Sequence, residues 1–215
     1  GFLGIELHTR RRNRVNGHVV ATDAGGFSVE VDQSVGNCPQ YIQGREFTWV
    51  RDADDRRPRG TEALTALDAD ARALIQRSDT LFIATHAPAS AGGADVSHRG
   101  GRPGFVKIED DRSFLVPDFT GNFFFMTLGN LQLNPRAGVL FIDFDTGDLL
   151  TLTGTAEVVW DGDELKAFDG AERGWRFRMD GGWRLREALP LRWAFRDLSP
   201  NSVLTGTWVE SEARR

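Results

Sequence analysis

The stretch from Ser97 to Phe144 decides the fold. It reads SHRGGRPGFVKIEDDRSFLVPDFTGNFFFMTLGNLQLNPRAGVLFIDF. Short strand-like runs precede a helix-like run at 123–133, and an apolar strand follows at 137–144. Basic residues lie beside glycines, which let the backbone approach a ligand closely, and polar turn residues follow at a strand end. This combination is typical of a site for an anionic, partly aromatic ligand.

Composition narrows the class of protein. The 215 residues carry a net charge of −5, which argues against a nucleic-acid surface because phosphate neutralisation needs a clustered basic excess. Cys38 is the only cysteine, so no internal disulfide can form, and we expect a reducing, cytoplasmic compartment. The four histidines are scattered without ligand spacing, which predicts no zinc site. No apolar run approaches the ~20 residues of a membrane helix, so we expect no membrane partner.

An internal repeat organises the chain. Residues 1–17 align without a gap on residues 138–154, and both copies read as a strand, a turn and a second strand that ends at glycine. This is the outline of a β-hairpin, so two copies of one β module are predicted. Strand-rich sequence from Thr80 onward precedes the second hairpin, whereas nothing precedes the first. We therefore expect the first module to be N-terminally incomplete.

Short strands at regular spacing with few helices predict a mainly β protein built on a barrel. We expect residues 1–51 to be the C-terminal part of a first barrel module and residues 52–78 to be a linker and helix. Residues 79–215 then form a second module with a C-terminal extension.

Three local patterns predict a helix, a loop and a solvated segment. Apolar spacing predicts an amphipathic helix from Leu64 to Arg77, with Asp68 or Thr61 as its cap. The residues 87–101 are rich in glycine and alanine and are predicted to be a loop. The basic cluster at 10–14 is interpreted as a solvated hairpin segment.

The run from Thr80 to Trp160 resembles the pyridoxamine 5′-phosphate oxidase superfamily, whose members share an FMN-binding split β-barrel. A second similarity lies in the loop GNCPQYIQ at 36–43, which is similar to one that accompanies flavin-binding relatives. The motifs of the main run are FIAT (82–85), GFV (104–106), VPD (116–118), GN (121–122), LGNL (128–131), NPRAGVLF (134–141) and LTGTAE (152–157).

The resemblance implies a set of FMN-binding residues. Arg102 and Lys107 have the spacing of the basic pair that serves the phosphate end of FMN, and Pro117-Asp118 falls where the family places a pair against the isoalloxazine. The family's charged phosphate motif is replaced here by Asn122-Phe123-Phe124, so Arg99 is expected to compensate together with Arg102. The other candidate cofactor-binding residues are Asn37, Cys38, Tyr41, Gln43, Asn122 and Asn130.

These residues also have structural interpretations. Arg99 and Arg102 are alternatively solvated loop charges, and Lys107 is alternatively a strand residue that faces solvent. The asparagines at 122 and 130 suit helix caps or core hydrogen bonds equally well. Cys38 is interpreted as a buried small residue, since nothing near it in sequence marks its thiol as reactive. Among the histidines, only His98 is expected near the site, because it adjoins Arg99.

The leading functional hypothesis is a flavoprotein that binds FMN non-covalently and acts as an oxidoreductase. No acid or base stands out, which agrees with chemistry carried by the flavin. The alternatives are a non-catalytic flavin- or haem-binding module and a deazaflavin-dependent reductase. A small-molecule substrate or a nicotinamide nucleotide is the expected partner. The family usually places FMN at a homodimer interface, so a homodimer is expected, with an internal pseudo-dimer of the two modules as the alternative.

Overall fold

The computed structural model describes residues 1–55, 59–88, 93–121 and 125–214, without the side chain of Asn37. Within these residues the strands are β1 (Phe2–Glu6), β2 (Arg11–Asp23), β3 (Gly26–Asn37), β4 (Gly44–Trp49), β5 (Thr61–Leu64), β6 (Thr80–His86), β7 (Ala94–Gly100), β8 (Lys107–Ile108), β9 (Ser113–Phe119), β10 (Arg136–Ile142), β11 (Leu149–Val159), β12 (Ala171–Leu185) and β13 (Leu191–Asp197). The helices are α1 (Ala69–Arg77), α2 (Met126–Leu133), α3 (Asp163–Lys166), α4 (Pro200–Val203) and α5 (Trp208–Glu212).

The large sheet forms a split β-barrel, as predicted. Its strands follow the order β7-β6-β10-β11-β12-β9-β8, and β5 pairs with a further stretch of β12. The long strand β12 makes this possible, because it pairs with β5 at residues 182–185 and with β9 at residues 171–178. Alternating side chains fill the interior, where Phe114 stacks on Phe177 with ring centroids 5.1 Å apart.

The predicted hairpin at residues 1–17 is present as β1 and β2. These strands pair antiparallel and continue into β3, which gives a separate three-stranded sheet. One face of this sheet lies against β7 of the barrel, where Arg14 and Asn16 are buried. A third unit is the two-stranded ribbon of β4 and β13.

The helix predicted from Leu64 begins later, at Ala69. Asp68 is its cap, and the side chain of Asp68 accepts a hydrogen bond of 2.8 Å from the backbone N–H of Ala71. Thr61 instead opens β5, so the four residues that end at Leu64 belong to the barrel sheet.

Residues 94–100 form strand β7, whereas a loop was predicted there. Their sequence, ADVSHRG, has little of the β-branched and aromatic content that favours strands. The strand forms because all seven residues pair with β6, from Thr80–Gly100 to His86–Ala94. Tertiary pairing therefore overrides a weak local preference, and it brings His98 and Arg99 onto a sheet.

In the described part of the chain, each helix falls short of the length and apolar character needed to cross a membrane.

Candidate functional site

A cavity of about 360 Å³ lies between the N-terminal sheet and the barrel. One wall comes from β2, the end of β3 and the loop after it, and the opposite wall comes from β7 and the end of β9. The lining residues are Arg12, Arg14, Gly36, Cys38, Gln40, Tyr41, Ser97, His98, Arg99, Gly100, Pro117, Phe119, Thr120 and Gly121.

Two arginines of β2 reach this cavity, which corrects the interpretation of residues 10–14 as a solvated segment. Successive strand residues point to opposite faces, so Arg12 and Arg14 share the face that lies against the barrel while Arg11 is exposed. Arg14 is buried and forms an ion pair with Asp95 of β7. Its charge is therefore balanced by a carboxylate from the opposite wall.

On the barrel side, Arg99 forms an ion pair with Asp118 at the end of β9. Asp118 is only 2% exposed, and a second guanidinium, that of Arg173, lies 3.9 Å from its other oxygen. The sequence placed Arg99 and Asp118 in one site, and the structure brings them into contact. Asp118 holds Arg99 in position on the cavity wall, beside Pro117.

Arg12 differs from its neighbours, because no carboxylate lies within ion-pair distance of it in the part of the chain that the structure describes. Its Nη1 donates instead to His98, at 3.2 Å from Nδ1. Burial, followed by repulsion from Arg14 and Arg99, lowers the pKa of Arg12 to about 10. The guanidinium therefore stays charged at neutral pH in a setting that opposes its charge.

His98 is buried on the barrel wall, in β7, opposite Arg12. Burial, with Arg12 and Arg99 nearby, holds the pKa of His98 well below its ordinary value of 6.5. Since Arg12 donates to Nδ1, the neutral ring carries its proton on Nε2, which has no hydrogen-bond partner among the described residues. His98 is thus a neutral imidazole at physiological pH.

The loop after β3 brings Tyr41 to the cavity. Its backbone is left-handed, with φ at 63°, and its hydroxyl donates to the carbonyl of Thr120 at 2.9 Å. The ring lies 5.2 Å from that of Phe119, centroid to centroid. Burial, reinforced by the charges of Glu172 and Asp118, raises the pKa of Tyr41. The aromatic pair gives the cavity an apolar surface beside its arginines.

Gln43 supports this loop from behind rather than lining the cavity. It is fully buried, and its amide nitrogen donates to the carbonyl of Gly101 at 3.1 Å and to the hydroxyl of Ser202 at 2.9 Å. Its amide oxygen accepts from the backbone N–H of Ser199 at 2.8 Å. The loop is therefore anchored to the barrel and to α4.

The structure does not bring Arg102, Lys107 or Asn130 to this cavity. Arg102 makes a two-point ion pair with Glu210 of α5, at 2.8 and 2.9 Å. Lys107 lies 3.1 Å from Glu164 and over the ring of Trp208. The amide nitrogen of Asn130 donates to Thr85 at 3.1 Å and to the carbonyl of Gly93 at 3.3 Å. Each of the three has a structural contact that spacing along the sequence does not reveal.

Some of the remaining predicted residues line the cavity, and others fall outside the described part of the chain. Pro117 and Tyr41 line the cavity. Cys38 lines it too, but its side chain is exposed, so its interpretation as a buried residue is wrong. Asn122 and the side chain of Asn37 fall outside the described residues.

Sequence reasoning missed Arg12, Arg14, Gln40 and Ser97. The sequence carried little signal for the two arginines, because Arg11 and Asn13 on the other face of the strand are polar as well. The sequence does not reveal that this face of β2 packs against another sheet rather than facing solvent.

A larger cavity, of about 670 Å³, lies beneath the ribbon of β4 and β13. Its cations are already balanced, since Arg45 pairs with Asp79 at 2.7 Å and Arg77 pairs with Asp143 at 2.6 Å. Among the described residues, none of the predicted site residues lines it. The smaller cavity is therefore the better candidate for an anionic ligand.

The residues of the smaller cavity fit a ligand with an anionic end and a flat aromatic end. Arg12 and Arg99 supply positive charge, while Tyr41, Pro117 and Phe119 supply apolar surface. Within the described residues, His, Cys, Asp and Glu side chains form no cluster of three that could hold a metal ion.

Comparisons with solved structures find matches of low identity. HutZ from Vibrio cholerae, described as a haem storage protein, is 17% identical over 56% of this chain and 94% of its own, with a TM-score of 0.40. A HupZ variant from Group A Streptococcus is 17% identical over 55% of this chain and 99% of its own, with a TM-score of 0.45.

A third match belongs to the pyridoxinephosphate oxidase family. This protein of Clostridium acetobutylicum, related to general stress protein 26 of B. subtilis, is 15% identical over 59% of this chain and 92% of its own, with a TM-score of 0.41. No curated protein matches the sequence. A family model described as Pyridoxamine 5′-phosphate oxidase matches residues 67–194, which is more than half of the chain. The chain therefore belongs to the pyridoxamine 5′-phosphate oxidase family.

Proposed function

We propose that this protein is a flavoprotein that binds FMN non-covalently in the cavity between the N-terminal sheet and the barrel, and that it acts as an FMN-dependent oxidoreductase. The observation that carries the proposal is Arg12, a half-buried cation without a carboxylate partner among the described residues. An anion in the cavity would offset its burial and its repulsion from Arg14 and Arg99. A phosphate ester is an anion of suitable charge, and arginine is well suited to bind it.

Different cavity residues bind the phosphate and the isoalloxazine of FMN. Arg12 and Arg99 hold the phosphate, and Asp118 keeps Arg99 in place. Tyr41 and Phe119 offer an apolar surface for the isoalloxazine, next to Pro117. When bound, FMN supplies the hydride or electron transfer, and the protein binds, orients and shields it.

The experiment begins with the absorption spectrum of the purified protein and of its supernatant after heating. We expect flavin bands and FMN in the supernatant, or flavin bands after FMN is added and excess is removed. A protein that stays colourless and leaves the fluorescence of added FMN unchanged would refute the proposal. Bleaching of bound flavin by a nicotinamide nucleotide, without oxygen, then tests the oxidoreductase activity separately from binding.

A second candidate is a haem-binding protein, and His98 is the observation that favours it. The imidazole is neutral and its Nε2 has no hydrogen-bond partner within the described residues, so Nε2 would ligate iron once its proton moved to Nδ1 and Arg12 turned away. Haem titration with His98→Gln as the control tests this candidate. A Soret band that the variant loses, together with absent FMN binding, would favour haem over FMN.

We also propose that the cavity is an internal pseudo-dimer site, because both of its walls come from one chain. One FMN per chain and a monomeric mass in light scattering are expected. A homodimer whose FMN affinity falls on dilution with its dissociation would instead indicate a site shared between chains.

A further inference from the structure

The N-terminal sheet repeats the pairing of the barrel strands β10, β11 and β12. Residues 1–17 align on residues 138–154, and the paired positions agree as far as Val19, including the third strand. Beyond Val19 the N-terminal sheet has a further register shift, between Val19 and Ala21, that the barrel strands lack. The coinciding pairs are Phe2–Val15 with Val139–Leu152, Gly17–Val31 with Gly154–Met179, and Val19–Val29 with Ala156–Phe177.

The two sheets also share one irregularity. The register of β2 against β3 shifts between Asn16 and Gly17, and that of β11 against β12 shifts at the matching place, between Thr153 and Gly154. At each glycine, a side-chain Cβ would overlap the carbonyl of the neighbouring strand. A bulge fixed by an obligatory glycine is a specific feature, so the agreement indicates one architecture used twice.

The equivalence identifies which face of the N-terminal sheet is a core face. In the barrel, the matching positions point inward and are at most 3% exposed. These are Val139, Leu152, Ala156, Trp175, Phe177 and Met179. Their counterparts in the N-terminal sheet are also apolar: Phe2, Val15, Val19, Phe27, Val29 and Val31.

This second core face is uncovered. Phe27 is 57% exposed and Val31 is 52% exposed, while Phe2 stacks on Phe27 at the surface with ring centroids 5.2 Å apart. It is not the face that packs on the barrel, which is the opposite face and carries Arg12 and Arg14. A contiguous apolar face of this kind marks an interaction surface.

In the complete barrel, the corresponding core face is covered by strands that come earlier in the chain. Phe114 of β9 stacks on Phe177 and makes an edge contact with Trp175. Leu81 and Ile83 of β6 are buried in the same core. A second copy of this chain cannot supply such strands, because its own β6 and β9 are already paired within its barrel.

We infer that the apolar face of the N-terminal sheet is the half-core of a second split barrel, completed by β-strands that precede Gly1 in the same polypeptide. By the repeat, these strands correspond to β6–β9 and alternate apolar with polar side chains. Their inward residues pack on Phe27, Val29 and Val31 as Phe114 does on β12. This inference does not depend on the identity of the cofactor.

Thiol accessibility tests the inference. In the polypeptide as its gene encodes it, Cys38→Ser and serine at any cysteine before Gly1 remove the native thiols, and Val31→Cys places a new one on the apolar face. Glu30→Cys is the matched control, because its side chain lies on the opposite face and its counterpart Arg178 is exposed in the barrel. Val19→Cys provides a second probe if Val31→Cys lowers the yield of folded protein.

We expect the thiol at 31 to react with a maleimide at least about 100-fold more slowly than the thiol at 30 in the encoded polypeptide. In residues 1–215 alone, the two thiols should react within about threefold of each other. Equal reactivity in the encoded polypeptide would overturn the inference, as would a reading frame without strands before Gly1. Protection in residues 1–215 that grows with protein concentration would also overturn it, because a second copy would then cover the face.

Discussion

Arg12 supplies the sharpest test of the site, and Arg12→Gln is the substitution of choice. Glutamine removes the positive charge but retains an N–H group that can donate to Nδ1 of His98, the contact that Arg12 makes at 3.2 Å. A charge-assisted hydrogen bond contributes about 1.5–3 kcal/mol, and each 1.4 kcal/mol is about tenfold in affinity. The dissociation constant of FMN should therefore rise by about tenfold to a hundredfold.

Riboflavin distinguishes contacts to the phosphate from contacts to the ring, because it carries the isoalloxazine without the phosphate. Titrations that follow flavin fluorescence should show the loss for FMN and less than about a twofold change for riboflavin. Arg11→Gln is the matched control, since Arg11 is the next residue of β2 and its side chain is exposed on the opposite face. A half-buried charge is screened less than an exposed one, so part of the difference between the protein and its Arg12→Gln variant should persist at high salt.

Two results would refute this reasoning. An FMN affinity within twofold of the original would remove Arg12 from the phosphate site, and an equal loss for FMN and riboflavin would assign it a role in cavity shape. The stability of the ligand-free variant is a further check. Removing a buried charge that Arg14 and Arg99 repel should leave the melting temperature unchanged or raise it by about 2–4 °C for each kcal/mol gained.

Three further predictions concern other residues. Because the pKa of His98 is lowered in the folded protein, the unfolded chain binds a proton more readily below about pH 6.5. The free energy of unfolding should therefore decrease as the pH is lowered through that range, by up to about 1.4 kcal/mol per pH unit. His98→Gln should flatten this pH dependence in urea titrations. Gln43→Leu leaves the N–H of Ser199 without its acceptor and should lower the free energy of unfolding by about 3 kcal/mol. Calorimetry should then show a melting temperature lower by about 6–12 °C, and a decrease of less than about 2 °C would contradict the anchoring role. Arg102→Ala should leave FMN affinity within about twofold because its guanidinium is paired with Glu210, and a tenfold loss would place Arg102 at the phosphate.

The sequence predicted the second module well because its signals are local. Strand β6 begins at Thr80, where strand-rich sequence was predicted to begin, and the hairpin of β10 and β11 follows the motif NPRAGVLF and a glycine turn. The family resemblance rests on the same segments, and the family model covers them. Alternation and turn residues carry this information without reference to distant parts of the chain.

The site was predicted in part, and the failures share a cause. Arg99, Pro117, Cys38 and Tyr41 line the cavity. The family resemblance also predicted Arg102 and Lys107, whose acidic partners lie about a hundred and about sixty residues further along the chain. A charge run does not reveal which of its members will be paired.

The sequence by itself determined the mainly β architecture, the repeat of its hairpin and the family, because these depend on the order of short apolar runs and turns. Only the tertiary structure decided that residues 94–100 are a strand, that Arg12 faces a cavity rather than water, and that Phe27 and Val31 form an uncovered core face. These properties depend on which sheet lies against which. Such contacts join residues far apart in sequence, so the free energy that fixes them is not contained in any local pattern.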